Sequence, residues 1–184
     1  MIRADGLASI TVVIPTMNRP TLARTVQSAA GADEIVVVGD GVLPATGDVR
    51  LQESPRSTDR GSRAAELRNA GMRQATGDWI AFMDDDDVFT PRAVDTIRAI
   101  VSGQQPALYV FRMLNPGGVL WRHPVIEYCN VGTPMIVCPS RDYKPWPVGG
   151  SYPAEDYGFA HANQTAWPGG VVFRAEVIAH VRPT

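Results

Sequence analysis

Apolar residues in this chain fall into short unbroken runs separated by polar, glycine-rich turns. Residues 10–15 (ITVVIP), 34–38 (EIVVV) and 80–83 (IAFM) show no alternation. Such runs predict strands covered on both faces, as in a parallel sheet with helices packed above and below it. Between the runs the period lengthens. Leu22, Val26, Ala29 and Ala30 form a stripe that predicts a helix over about residues 21–30. Ala64, Leu67, Gly71 and Ala75 predict a second helix from near Gly61, with Gly77 as its C-cap. Val94, Ile97 and Val101 predict a third, for which Thr90 and Pro91 read as N-cap and first helical position. A glycine inside a helix costs about 1 kcal/mol against alanine, so Gly71 is expected to pack closely on the sheet.

The second half has a different texture. Residues 108–114 and 119–122 are strand-like and flank Asn115-Pro116-Gly117-Gly118, a hairpin turn. Residues 135–138 and 171–173 predict two further strands, and residues 154–162 a short helix with Glu155 and Asp156 in its first turn. Residues 42–60 dissolve into Gly, Pro, Ser, Asp and Arg and predict a mobile surface loop. A loop over residues 140–153 carries Tyr143, Trp146 and Tyr152, which suits either the lining of an acceptor site or structural aromatic packing. The expectation is a single α/β domain over residues 1–184. Its central sheet is mostly parallel and flanked by helices, with a small antiparallel hairpin region in the second half.

At 184 residues the chain is long enough for one well-formed core. A net charge of −2 gives no reason to expect general nucleic-acid or anionic-membrane binding. Lys144 is the only lysine, and every other basic side chain is an arginine, the residue suited to phosphate forks. No apolar run approaches the roughly 20 residues of a membrane span, and the N-terminus shows no signal-type run. Cys129 and Cys138 lack metal-type spacing and read as reduced thiols. Together these features predict a soluble, cytoplasmic protein.

The candidate chemistry sits where the third apolar run stops against Asp84, Asp85, Asp86 and Asp87. In open α/β sheets ligands bind outside the carboxyl ends of strands. Adjacent carboxylates repel unless a cation or hydrogen-bond donor lies among them. A divalent metal bridging to a phosphorylated ligand would meet that demand, whereas a solvated acidic turn or a helix N-terminus favouring negative charge would account for the same residues without a ligand. Thr16, Asn18 and Arg19 follow the first strand and Asp40 the second, so all three loops share one sheet edge. A carboxylate can read a base N–H, another can hold ribose hydroxyls, and a metal or arginines can offset a diphosphate. The chain has neither Gly-x-Gly-x-x-Gly after its first strand nor a Gly-Lys-Ser/Thr phosphate loop. Lys144 lies in a proline-rich loop, which argues against a phosphoacceptor domain, and a pyrophosphorylase would need a catalytic lysine and a glycine-rich first loop.

The segments VVIPTMNR, VVVGDG, RNAGMRQATGDWIAFMDDDD and AED, in this order, resemble the family-2 glycosyltransferases of the GT-A fold. The resemblance covers residues 10 to about 156, and weaker likeness follows. It implies transfer of a sugar from a nucleotide-diphosphate donor, a UDP-sugar being favoured, to an acceptor hydroxyl, with inversion and with Mn²⁺ or Mg²⁺. About residues 1–90 would then form the nucleotide-sugar half and about residues 91–184 the acceptor half. Carried over by position, Pro15, Thr16, Asn18 and Arg19 match the loop that holds the base, and Asp40 the carboxylate that reads it. Arg68 and Asn69 match a helix pair beside the donor, Asp84 and Asp85 its sugar contacts, and Asp86 the metal ligand. Asp156 matches the catalytic base, and His161 or His180 could complete the metal shell. Gly39 stands where the family usually has the first of two aspartates, and no serine follows Gly41. Two other functions fit the same pocket: a nucleotide-sugar-binding module without turnover, and a nucleotidyltransferase on a similar sheet. The sequence leaves the acceptor, the donor sugar and the oligomeric state open.

Overall fold

A computed structural model describes residues 6–41, 50–54, 63–149 and 154–183. The start of the second helix near Gly61, most of the predicted 42–60 loop, and Tyr152 lie outside these residues. The α/β expectation holds. Strand β1 (Ile10–Thr16), helix α1 (Leu22–Ser28), strands β2 (Glu34–Asp40) and β3 (Arg50–Ser54), helix α2 (Arg63–Gln74) and strand β4 (Trp79–Phe82) make up the first half. Then follow β5 (Val88–Phe89), α3 (Ala93–Val101), β6 (Leu108–Asn115), β7 (Gly118–Leu120), β8 (Ile136–Pro139), α4 (Ala154–Asn163) and β9 (Val171–His180). The sheet order is β3-β2-β1-β4-β8-β6-β9-β5, with β7 added to β6.

Pairing is parallel from β3 through β2 and β1 to β4. β1 and β4 are buried along their whole length, which is why neither run alternates. Because β1 lies between β2 and β4, the chain order reverses at β1/β4, the place where a crevice opens at the carboxyl ends of the strands. β8 is antiparallel to both β4 and β6, and β9 is parallel to β6. Two reversals therefore return β6 and β9 to the direction of β4, and the end of β9 emerges on the same sheet edge as the acidic turn.

Several local predictions need correction. Residues 50–54 form edge strand β3 rather than loop; the sequence RLQES is largely polar because an edge strand has one side open. Helix α3 begins at Ala93, with Arg92 at its N-cap in a left-handed turn (φ 63°). Thr90 lies two residues before that N-cap; its hydroxyl donates to the Val177 carbonyl at 3.0 Å and ties the end of β5 to β9. α2 ends at Gln74, so Gly77 is no C-cap. A Cβ there would come within 2.7 Å of Thr11 Oγ1 and 2.9 Å of Thr11 N, so Gly77 is a close approach to β1. β9 continues well past residue 173, to His180. Its register slips around Arg174-Ala175-Glu176, where an ion pair at 2.8 Å sits on a bulge and breaks the apolar pattern.

Other predictions stand. The hairpin turn joins β6 to β7 with Asn115 opposite Gly118. Cys129 and Cys138 are free, and burial pushes the Cys138 thiol far above its ordinary pKa. Among the described residues no helix is long and apolar enough to cross a membrane. Gly71 packs α2 directly on Val13 of β1 and Val38 of β2. Val13 is β-branched and fully buried in a central strand, so it cannot swing aside. Gly71→Ala should therefore destabilise by about 1–3 kcal/mol in urea unfolding, as overpacked core sites do. Stabilisation instead, as helix propensity alone would give, would show that α2 can lift off the sheet.

Candidate active site

The acidic turn is held in shape by three threonines. Register pairs Val13 with Phe82, so the chain leaving β1 runs beside the chain leaving β4. Thr16 Oγ1 donates to Asp85 Oδ2 at 2.6 Å, and the Met17 N–H donates to the same oxygen at 3.3 Å. Thr21, at the N-cap of α1, and Thr25, in the middle of α1, donate their hydroxyls to the backbone carbonyls of Asp85 and Asp87, each at 2.7 Å. Burial raises the Asp85 pKa, partly offset by the Thr16 hydroxyl and the Arg19 charge. Arg19 bridges Asp85 (3.4 Å) and Asp86 (2.5 Å). Asp86 Oδ2 also receives Arg182 Nε at 3.2 Å. Asp87 is buried and accepts the Arg182 backbone N–H at 2.9 Å. Burial, aided by the charges of Asp84 and Asp86, pushes its pKa up to about 7.

Arg68 of α2 stands behind this turn at 2% exposure. Its Nη2 donates to Asp84 Oδ1 at 2.7 Å and its Nη1 to Glu155 Oε1, on α4, at 3.0 Å. The guanidinium lies 4.5 Å from the centre of the Trp146 ring. That ring stacks on Phe159 at 4.3 Å and meets Phe82 edge-on at 5.2 Å. Burial opposes the Arg68 charge, but Asp84, Asp156 and Glu155 outweigh it, and its pKa is held above the ordinary value. Trp146 is 1% exposed, which decides for structural packing over the lining of an acceptor site.

These residues enclose a cleft of about 650 Å³. Asp84, Asp85, Asp86 and Glu155 line it together with Arg19, Arg63, Arg68 and Arg182, and Pro15, Thr16 and Met17 are also part of the lining. A smaller cavity of about 100 Å³ adjoins it, sharing Arg68, Asp84, Asp86, Glu155 and Arg182 and adding Asp156 and Thr133. Thr133 Oγ1 donates to Asp156 Oδ1 at 2.5 Å, leaving Oδ2 with no hydrogen bond from the described residues. Burial raises the Asp156 pKa to about 6, even though Arg68 and the Thr133 hydroxyl pull it down.

Most of the expected residues meet here. Pro15, Thr16, Arg19, Arg68, Asp84, Asp85 and Asp86 line the larger cleft, and Asp156 lies next door. Asp40 lies at the end of β2, where it forms an ion pair with Arg63 Nε at 2.8 Å, so Arg63 rather than Asp40 faces the cleft. Asn18 is exposed on a left-handed turn (φ 62°) and donates its N–H to Thr16 Oγ1. Asn69 does not line the cleft: its amide binds the Trp146 backbone through N–H···Oδ1 (2.8 Å) and Nδ2–H···O (3.0 Å). Neither His161 nor His180 lines either cavity; His161 packs on Tyr157. Glu155, Arg63, Thr133 and Arg182 join the expected residues in lining the two cavities. Only Glu155 carried a signal, as the neighbour of Asp156.

The sequence model of glycosyl transferase family 2 matches residues 11–179. The chain belongs to that family. A validoxylamine A glucosyltransferase of Streptomyces hygroscopicus subsp. limoneus is 36% identical over 117 residues, which are 55% of this chain and 25% of that protein. An uncharacterised glycosyltransferase of Haemophilus influenzae is 25% identical over 147 residues, 72% of this chain. The chain spans 49% of that relative's length. Among solved structures, S. aureus TarS 1-349 in complex with UDP-GlcNAc superposes with a TM-score of 0.70 at 17% identity. The match covers 96% of this chain and 59% of that one, and at this identity it shows a common fold.

Removing a buried ion partner leaves uncompensated charge, typically a loss of 3–5 kcal/mol. Arg68→Met should therefore lower the unfolding free energy by about 3–5 kcal/mol, read by urea titration at neutral pH. A loss below about 1 kcal/mol, the scale of an exposed pair, would mean that Asp84 and Glu155 do not depend on this guanidinium.

Proposed function

We propose that this family-2 domain transfers a sugar from a nucleoside-diphosphate donor, a UDP-sugar being favoured, to an acceptor hydroxyl with inversion. The observation that carries the reading is the junction of two cavities across Arg68, Asp84 and Glu155. A larger charged cleft suits the donor, and a small one holds a carboxylate with an oxygen that takes no hydrogen bond among the described residues. The UDP-GlcNAc named for TarS supports a uridine donor here.

In the proposed reaction the acceptor hydroxyl attacks the anomeric carbon from the side opposite the diphosphate. The new C–O bond forms as the bond to the diphosphate breaks, and the hydroxyl proton passes to Asp156 Oδ2. A base whose pKa lies near working pH is best matched to that task, and Asp156 sits near 6 because it is buried. Thr133 fixes its other oxygen, and Arg68 keeps enough positive charge nearby for the carboxylate to ionise.

We assign Asp86 to Mn²⁺ or Mg²⁺. The cleft walls already balance, with four carboxylates against four guanidiniums. A diphosphate added to them needs further positive charge. Among the described residues no three His, Cys, Asp or Glu side chains cluster as ligands; hard divalent cations at phosphate sites are commonly held by one or two carboxylates plus the phosphates themselves. Once bound, the ion would stabilise the departing diphosphate as a Lewis acid.

Thermal-shift screening of nucleotide sugars with and without Mn²⁺ tests the donor reading, since a ligand of the native state raises Tm. No shift with any donor, together with no donor hydrolysis, would reject it. Donor binding without turnover on any acceptor would favour a binding module, and pyrophosphate release from a nucleoside triphosphate a nucleotidyltransferase. The rate of transfer or donor hydrolysis should rise along an acid limb centred near pH 6, because only ionised Asp156 accepts a proton. Asp156→Asn should keep donor affinity while losing about 10²- to 10⁴-fold in rate; parallel loss of binding would refute the assigned role. Asp86→Ala should abolish the Mn²⁺ dependence of donor binding, and an unchanged metal titration would remove Asp86 as the ligand.

A further inference from the structure

Arg182 lies beyond the segment matched by the family model, which ends at residue 179. Its backbone is fixed on every side. The Val181 N–H donates to the Leu114 carbonyl at 2.8 Å, and the Arg182 N–H to Asp87 Oδ1 at 2.9 Å. The Pro183 carbonyl accepts Arg24 Nη2 at 2.8 Å. Between these tethers Arg182 adopts φ 45°, a left-handed conformation that non-glycine residues avoid. Backbone strain of this kind persists only where the surroundings over-determine it. Asp87 supplies much of that constraint from a buried position within the acidic turn.

The side chain is arranged differently. It is 66% exposed, reaches back over the acidic turn, and makes its one ion pair among the described residues with Asp86 at 3.2 Å. It lines both cavities. Arg19 pairs with the same Asp86 oxygen at 2.5 Å. Asp86 thus holds two guanidiniums that both line the charged cleft, and a guanidinium is suited to bidentate capture of phosphate oxygens.

We propose that Arg182 is a diphosphate-binding residue of the donor site, that Asp86 is its resting counter-ion, and that Asp87 is the latch that holds its backbone in place. The inference rests on the nucleoside-diphosphate reading of the cleft and adds a residue to it. On donor binding the guanidinium exchanges the Asp86 carboxylate for diphosphate oxygens, with Arg19, which shares that carboxylate, as its partner. Asp86 is then released for other contacts.

The test is calorimetric titration of the whole chain, with MgCl₂ present throughout. UDP, GDP and dTDP are compared, and the tightest is set against its own nucleoside. Arg182→Gln should weaken the diphosphate by about tenfold or more, the scale of one lost charge-assisted contact, and leave the nucleoside within about twofold. Arg182→Lys should fall between, since it keeps the charge and loses the fork. Asp87→Ala, checked for native circular dichroism, should reproduce the Arg182→Gln pattern. If the wild-type chain binds no nucleoside diphosphate, the donor-site reading fails and this inference fails with it. If the wild-type chain binds and Arg182→Gln keeps the same ratio of diphosphate to nucleoside affinity, this inference alone is overturned.

Discussion

The structure of the site depends on one buried guanidinium. Arg68 joins Asp84, at the end of the central strand, to Glu155, in the first turn of α4, and rests on Trp146. Each partner comes from a different part of the chain, so this cation determines how closely α4 approaches the acidic turn. It also acts electrically: without its charge, burial and the neighbouring carboxylates would drive Asp156 further toward the neutral form. Buried ion pairs seldom add net stability, because desolvation offsets their attraction. Arg68 is better understood as a positional constraint whose removal is costly than as a source of stability. It sits at the wall shared by both cavities, where a change in one side chain alters both.

Sheet direction explains why the remaining pieces arrive together. Parallel pairing of β1, β2 and β4 places three carboxyl ends side by side, and Thr16, Asp40 and Asp84 follow from that. The second half reaches the same edge by a longer route. β8 reverses direction, β6 reverses it again, and β9 runs parallel to β6. Only with both reversals does Arg182 emerge beside Asp86 rather than at the opposite end of the sheet. The unusual pairing in the second half is thus the feature that closes the cleft.

The first half of this fold was legible because burial on both faces writes itself as unbroken apolar runs, and because the chain positions there match a known family pattern. β3 was not, since an edge strand with a polar face carries no such run. The apolar pattern of β9 stops at residue 173 because a charged bulge interrupts it, although the strand runs on to His180. The acidic cluster was readable as a cluster, but not the partner of each carboxylate, which depends on contacts between distant segments. Asn69 shows the limit of carrying a role by position: it neighbours Arg68 in sequence, yet its amide is engaged by the Trp146 backbone. Arg182 had no signal at all, being one arginine after a strand. Only the direction of β9 gives it meaning.

Four adjacent aspartates can coexist here because the turn distributes them among different partners. Asp84 faces Arg68, Asp85 takes the Thr16 hydroxyl and Arg19, Asp86 takes Arg19 and Arg182, and Asp87 takes a backbone N–H. The cleft is neutral in sum, so an anionic ligand cannot enter by adding charge to an empty basic pocket. It must exchange with carboxylates already paired to guanidiniums. Such an exchange favours a ligand that brings its own counter-cation, because the displaced carboxylate then has a new partner. It disfavours a neutral sugar, which offers the guanidiniums nothing in place of Asp86. On the proposed function, discrimination for a nucleoside diphosphate over a free sugar is therefore a property of the paired resting state itself.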